Sequence, residues 1–454
     1  MISPGGFLPI DLLLNNGTIV TPDGEFRASV AVDDGKIVAI GSPYSMPPAE
    51  RVLDLDGLHV LPGFVDAHVH MREPGMTYKE DFLSGTSAAA AGGVTTIFEM
   101  PNTLPLVTDE KVLLEKAALL QGKAYVDFCL YGLIVEDNLK ELAGMAKAGA
   151  IGFKLLLAEV TGGVPRPSNG FIFESFKELA KIGLTVAVHA EDKNVTQYYM
   201  EKLKKVTQEP IAHCWARPPI AEEEGIQLLS LFASQAGNKV HLVHTSCGTD
   251  LIKAAKATGA KITAETCPQY LVFTEEDMRS KGAVLKINPP VRRREMVQKL
   301  VEAVNDGTID TIGSDHAPHS VEEKTKESIW EASSGCIGVE TMVPVMLTLV
   351  NRGLLSLSRL VEMGSENPAK IFGIYPKKGA ILVGSDADFT IVDMKMEKTI
   401  KAEELHSKQK ITPFDGFRVK GLPVYTIVRG EIVAERGEII SGPRGRFTKP
   451  PLNP

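Results

Sequence analysis

Two imidazoles stand two residues apart behind an apolar run, in Gly63-Phe64-Val65-Asp66-Ala67-His68-Val69-His70-Met71-Arg72. In a strand, residues i and i+2 point the same way, so His68, His70 and Arg72 are expected to face one cavity if strand geometry persists to Arg72. Two imidazoles so placed suit a metal ion, and an arginine beside them suits an anion. An H-x-H pair alone is a weak signal, so the weight falls on what stands at matching places elsewhere. Lys154, His189 and His244 each lie within or close an apolar run, and Asp315 follows one.

Those residues need elements that bring them together. Apolar runs at 60–65, 95–100, 126–131, 151–156, 185–189, 239–244, 261–265 and 308–314 alternate with helical segments such as 222–236 and 293–304. That alternation builds a parallel sheet, and eight βα units predict a (β/α)8 TIM-like barrel over residues 59–372. Barrel chemistry sits at the C-terminal ends of the strands, which is where the four histidines, the lysine and the aspartate fall. Gly92-Gly93 and Gly237-Asn238 suit helix C-caps. Residues 1–58 and 373–454 are instead short β-rich runs with turns such as Asn16-Gly17 and Asp34-Gly35, and are expected to meet in one small β-sandwich domain formed by both chain ends. The Pro-rich stretch from Gly442 reads as an extended tail.

Composition narrows the function classes. A net charge of −8 argues against general affinity for nucleic acid, and the run Arg292-Arg293-Arg294 is expected to be a solvated helix start. The five cysteines, Cys129, Cys214, Cys247, Cys267 and Cys336, are scattered without a CxxC pair and read as reduced thiols of a cytoplasmic protein. Met1 to Leu14 has no basic region before its apolar residues, and no apolar stretch is long enough to span a bilayer, so neither export signal nor membrane partner is expected.

The chain resembles the cyclic amidohydrolases of the amidohydrolase superfamily, which include dihydroorotase, allantoinase and hydantoinase (dihydropyrimidinase). The resemblance runs over nearly the whole length. It is carried by Pro62 to His70, Ala90-Ala91-Gly92-Gly93-Val94-Thr95-Thr96, Gly152-Phe153-Lys154, Val188-His189-Ala190-Glu191, His241-Leu242-Val243-His244, Glu265-Thr266-Cys267-Pro268 and Ser314-Asp315-His316-Ala317-Pro318-His319. It implies two Zn2+, one held by His68 and His70 and a second by His189 and His244, with Lys154 bridging them as its N-carboxylated form. Asp315 would ligate the first metal and shuttle the proton in hydrolysis of a ring amide. His316 is expected to support the site or to pack beside it.

Within that family, Arg72, Asn102 and His319 match the positions at which dihydroorotases grip a carboxylate, and Asn288 looks like the residue that contacts the ring amide. Dihydroorotase, the reversible conversion of dihydroorotate to carbamoyl-aspartate in pyrimidine biosynthesis, is therefore the first expectation. The long loop at 159–170, Arg217-Pro218-Pro219, the segment 326–338 and the ending Gly-Pro-Arg-Gly-Arg-Phe resemble allantoinases and hydantoinases, which form the alternative. A non-catalytic scaffold of the same fold is disfavoured because all six metal-site residues are present. The loop at 160–170 is expected to act as a lid. The expected partners are a small cyclic ureide or amide and further copies of the chain in a dimer or tetramer.

Overall fold

In the computed structural model, which describes residues 9–158 and 163–451, parallel strands follow one another in chain order through the middle of the molecule. Phe64–Val69, Val94–Glu99 and Asp127–Leu130 form one sheet. Gly132–Leu133, Phe153–Leu156, Thr185–His189, Lys239–Leu242, Ile262–Thr266 and Thr311–Ile312 form a second. Tyr131 alone separates Asp127–Leu130 from Gly132–Leu133, and around that break Tyr131 N donates to Glu99 O (3.2 Å) and Ile151 N to Leu130 O (2.9 Å). At the far margins Val69 bridges His316 in parallel, and His70 N donates to His316 O (2.7 Å). Hydrogen bonds therefore link the first sheet to the second around Tyr131, and to the segment that follows Thr311–Ile312 at His316.

Parallel strands with both faces covered tolerate few polar positions, and Phe153–Leu156 and Thr185–His189 are buried at every residue. Each Val, Leu or Phe taken fully out of water contributes about 1.5–3 kcal/mol. The helix Pro219–Ala236 illustrates how the crossovers are built. Pro219 sits at its first turn and Gly237, at φ 76°, ends it by donating to Ala233 O. Its inward face is Ala221, Glu222, Gly225, Ile226, Leu229 and Ala233. Gly225 lets it lie directly on the end of the Thr185–His189 strand, because a Cβ there would fall 1.7 Å from Ala190 O.

The expected first strand, 60–65, is two strands. His59–Pro62 belongs to the sheet of the chain ends, between Ile10–Thr21 and Phe389–Thr399, and Phe64–Val69 starts the parallel sheet. Gly63 makes the joint, where a Cβ would meet Thr95 Oγ1 at 2.2 Å. Among the described residues the two ends do meet, in one nine-stranded mixed sheet. Ile10–Thr21 has a register break between Leu14 and Gly17. Before it the strand pairs with Ala49–Asp54, after it with His59–Pro62. Residues from both sides of the break, Leu12, Leu14 and Ile19, share a core with Val60, Phe389, Ile391 and Ile427.

The C-terminal stretch is extended but not loose: Arg446 O accepts from Phe128 N (3.0 Å) and Thr448 N donates to Phe128 O (2.8 Å), so it runs beside the Asp127–Leu130 strand. Arg292 is not solvated. It is buried, donating to Ser246 Oγ (2.8 Å) and Glu222 Oε2 (3.0 Å), because a buried carboxylate from the neighbouring helix supplies its counter-charge. Only the helix proper, Arg294–Asn305, begins as expected. Of the expected lid, residues 160–162 lie outside the described residues. Beyond them Val164 is buried against Leu133 and Leu156. All five cysteines are buried and unlinked, and no helix among the described residues is long and apolar enough to cross a membrane.

Candidate active site

The strand ends converge on a cavity lined by His68, His70, Arg72, Asn102, Lys154, His189, His244, Asn288 and Asp315, together with Leu156, Ala317, Ser334 and Gly335. His68 lies on its strand, whereas the strand ends at Val69. Arg72 reaches the cavity through a turn at φ 61°, so strand alternation does not extend to it. His244 and Asp315 also hold left-handed backbones, at φ 42° and 47°. Such conformations cost about 1–3 kcal/mol each in a non-glycine residue and persist where the surroundings over-determine them.

Each imidazole on the first strand is fixed from behind. His68 Nδ1 donates to Glu265 Oε1 (2.8 Å), since an ionised carboxylate can only accept. His70 Nδ1 donates to Asn102 Oδ1 (2.9 Å). Both rings thus turn Nε2 lone pairs toward Asp315 Oδ1, at 3.3 and 3.5 Å. These three ligand atoms lie within 4.8 Å of one another. Burial lowers the pKa of both rings, so they are neutral and available to a metal. Opposite them, His189 Nδ1 and His244 Nε2 approach to 2.9 Å, and His189 Nε2 lies 2.9 Å from Glu191 Oε2. Burial also pushes His244 well below the usual histidine range.

Lys154 Nζ is buried among these groups and has no hydrogen-bond partner among the described residues. Burial lowers its pKa to about 8, against the opposing pull of Asp315 and Glu265. A lysine so placed has a substantial fraction of free amine near neutral pH, the form that adds CO2 to become a carbamate. Burial raises the Asp315 carboxyl, with His68 and Lys154 opposing. Converging lone pairs, a carboxylate and an unpartnered amine fit a pair of cations spanned by a carboxylated lysine.

The remaining expected residues separate into two groups. Asn288 Oδ1 and Arg72 Nη1 are buried without hydrogen-bond partners among the described residues. Arg72 pairs with neither Glu73 nor Glu80: its Nε donates to Pro318 O (3.2 Å), and Nη2 lies 3.5 Å from His319 Nε2. His319 is buried but does not line the cavity. It stands behind Arg72, 3.1 Å from Lys79 Nζ. His316 packs beside the site, its Nδ1 accepting from Gly338 N (3.1 Å).

Three carboxylates carry roles that the sequence reasoning left unassigned. Glu265 holds His68 and also accepts from His244 N (3.2 Å). Glu191 faces His189 and is gripped by Arg217 through Nη2 (2.7 Å) and Nε (3.0 Å). Burial raises Glu191, and the Arg217 guanidinium outweighs it to keep the carboxylate ionised. Asp66 Oδ1 accepts from His68 N (3.2 Å) and Ser314 N (3.1 Å), tying the first strand to the approach to Asp315. For Glu265 and Glu191 the signal was the same strand-end position that marked the cavity residues, whereas Asp66 lies in mid-strand.

The Amidohydrolase family model matches residues 59–433. The chain belongs to the amidohydrolase family. This amidohydrolase is 41% identical to an L-hydantoinase of Paenarthrobacter aurescens over 95% of its own length and 96% of that protein's. It is 39% identical to an allantoinase of Rubrobacter xylanophilus, covering 97% and 98% of the two chains. With a dihydroorotase of Methanothermobacter thermautotrophicus it shares 36%, covering 96% and 97%. Among solved structures it is similar to the L-hydantoinase (dihydropyrimidinase) from Arthrobacter aurescens, with a TM-score of 0.94 and 40% identity over 97% of this chain and 100% of that one. This amidohydrolase is thus a hydrolytic enzyme acting on cyclic amides, and the scaffold alternative falls away.

Proposed function

We propose that the protein opens a cyclic ureide of the hydantoin or allantoin type at a binuclear zinc centre within a closed (β/α)8 barrel. His68, His70 and Asp315 would hold one Zn2+ and His189 and His244 a second, with Lys154, once N-carboxylated, as the ligand shared between them. The observation that carries this reading is the Lys154 amine, unpartnered among the described residues and set among imidazole nitrogens and the Asp315 carboxylate in one cavity. When bound, the metals supply a water acidified toward neutrality and a polarised carbonyl.

The chain's own residues do the rest. Asp315 takes the proton of the attacking water at its carboxylate and delivers it to the departing ring nitrogen. Asn288 Oδ1, buried and unpartnered, accepts a ring N–H. Glu265, Asn102 and Glu191 keep the imidazoles turned inward. Whole-chain similarity to hydantoinase and allantoinase supports the uncharged ring and displaces dihydroorotate from first place. Dihydroorotate remains as a second reading on one observation, the unpartnered Arg72 Nη1 at the cavity wall, which would meet a carboxylate. A dimer or tetramer completes the proposal, and native mass tests it.

The deciding experiment is kcat/KM of the zinc- and bicarbonate-supplied protein on hydantoin, allantoin, dihydrouracil and dihydroorotate, with Arg72→Ala alongside. Preferred turnover of an uncharged ring is the expected result. A preference for dihydroorotate that collapses in Arg72→Ala would replace that substrate and leave the metal chemistry standing.

A further inference from the structure

Two buried lysines near the cavity lack any carboxylate partner among the described residues. Lys286 Nζ donates to Ile329 O (2.6 Å) and Ala332 O (2.5 Å). Lys324 Nζ donates to Lys286 O (3.1 Å) and Ser333 O (3.0 Å). Gly335 N closes the set by donating to Lys286 O (2.9 Å). Both side chains are buried, at 7% and 2% exposure, so each amine is committed to main-chain carbonyls.

The bonds join two walls of the cavity. Lys286 stands two residues before Asn288 on one wall, and the segment 329–335 ends in Ser334 and Gly335 on the other. Ser334 also hydrogen-bonds His319 through its backbone, and His319 backs Arg72. Gly335 sits at φ 138° where a Cβ would come within 2.5 Å of Ala317 O, so at this point the wall packs its main chain directly against Ala317. Main chain has no rotamers with which to adjust, and its position is set by whatever holds its carbonyls. Burying an amine without a counter-ion is costly, and burial brings Lys324 down to about 7. Charged or neutral, that amine keeps at least the two N–H groups its two carbonyls use.

We infer that Lys286 and Lys324 are positioning residues that clamp the 333–335 wall through its backbone and so fix where the substrate ring rests against it. The inference rests on the cyclic-amidohydrolase reading of the cavity. The test is Lys286→Met and Lys324→Met, made separately in the full zinc-loaded chain. Two quantities are read: backbone hydrogen exchange, and KM with kcat on the ring that the wild type turns over best. Exchange across 329–335 is expected to quicken about tenfold in each variant. KM is expected to rise about tenfold with kcat altered less than about threefold and zinc content unchanged. Unchanged exchange in 329–335, or a fall in kcat at constant KM, overturns the clamp. If the wild type opens no cyclic amide, the functional reading fails by itself, and exchange still decides whether the clamp exists. Should one variant fail to fold, the same two readings on the other decide.

Discussion

Glu265 is the residue on which both halves of the proposed metal site lean. Its Oε1 accepts from His68 Nδ1 (2.8 Å) and from the main-chain nitrogen of His244 (3.2 Å). A carboxylate behind a ligating imidazole fixes the tautomer and raises the basicity of the opposite nitrogen. Glu265→Gln keeps the shape and an acceptor but removes the charge, so His68 becomes a weaker ligand while the fold survives. Zinc affinity should fall about 10–100-fold, read by competition with a chelator. An affinity equal to wild type would show that Glu265 only fills space. Residue scale is also where sequence reasoning was strongest for the residues that line the cavity and weakest for their supports. His68, Lys154, His189 and Asp315 announce themselves because imidazole, amine and carboxylate at strand ends are chemically costly to bury. Glu265 and Glu191 carry the same signal, but their roles depend on which ring nitrogen they face, and that is a matter of rotamer.

At the scale of elements, the second parallel strand and the helix after it set the turn that delivers Arg72. Glu99, at the end of Val94–Glu99, accepts from Met71 N through Oε2 (2.8 Å). Lys116, on the helix Glu110–Leu120, reaches Glu99 Oε1 (3.1 Å), Met100 O (3.1 Å) and Thr103 Oγ1 (3.3 Å). One buried ion pair therefore steadies the chain on either side of His70's partner Asn102 and next to Arg72. Removing one member strands the other, at about 3–5 kcal/mol, whereas removing both leaves no charge behind. Lys116→Met should cost that much in urea unfolding, and Glu99→Gln with Lys116→Met should recover most of it. A double variant as unstable as the sum of the single ones would show that the pair is not coupled. Legibility at this scale followed burial. Thr185–His189 is a strand between the limits that its apolar run indicates, being covered on both faces. At 60–65 the run is equally apolar but crosses Gly63, where the chain passes from one sheet to another. Hydropathy does not register that passage, because both sides are buried. The Arg292 burial was hidden for the opposite reason: a charge looks solvated until its partner, Glu222, is placed beside it.

The whole molecule is held together by a charge cluster between the parallel strands and the end sheet. Lys378, buried completely, lies 2.7 Å from Asp388 and 3.0 Å from Asp386, and bonds Asp127 on the Asp127–Leu130 strand. Arg429 also pairs with Asp127, and Lys36 with Asp386 at 2.6 Å. Three carboxylates thus meet three cations, and the ammonium of Lys378 fills the place that a metal would need among Asp127, Asp386 and Asp388. Despite burial, the cations hold Asp127 and Asp386 below the usual carboxylate range, and the three aspartates hold Lys378 above the usual lysine range. The carboxylate contribution is present above their unfolded pKa of about 3.9 and is lost as pH falls through the folded values. The lysine contribution is present below about 10.4 and is lost as pH rises through its folded value. Burial raises Asp388 against the pull of Lys378, so its own contribution runs the other way and falls as pH rises through its folded value; Asp127, Asp386 and Lys378 by themselves give a contribution level from about pH 5 to 9. Lys378→Met leaves three buried carboxylates with two cations and should cost about 3–5 kcal/mol at pH 7. In the variant the surplus carboxylate takes up a proton more readily folded than unfolded, so lowering the pH from 7 to about 5 should return part of that loss. Urea midpoints of both proteins at the two pH values measure it, with zinc content as the control that the distant site is intact. A deficit that stayed constant with pH would mean that Lys378 joins the two sheets by packing rather than by charge.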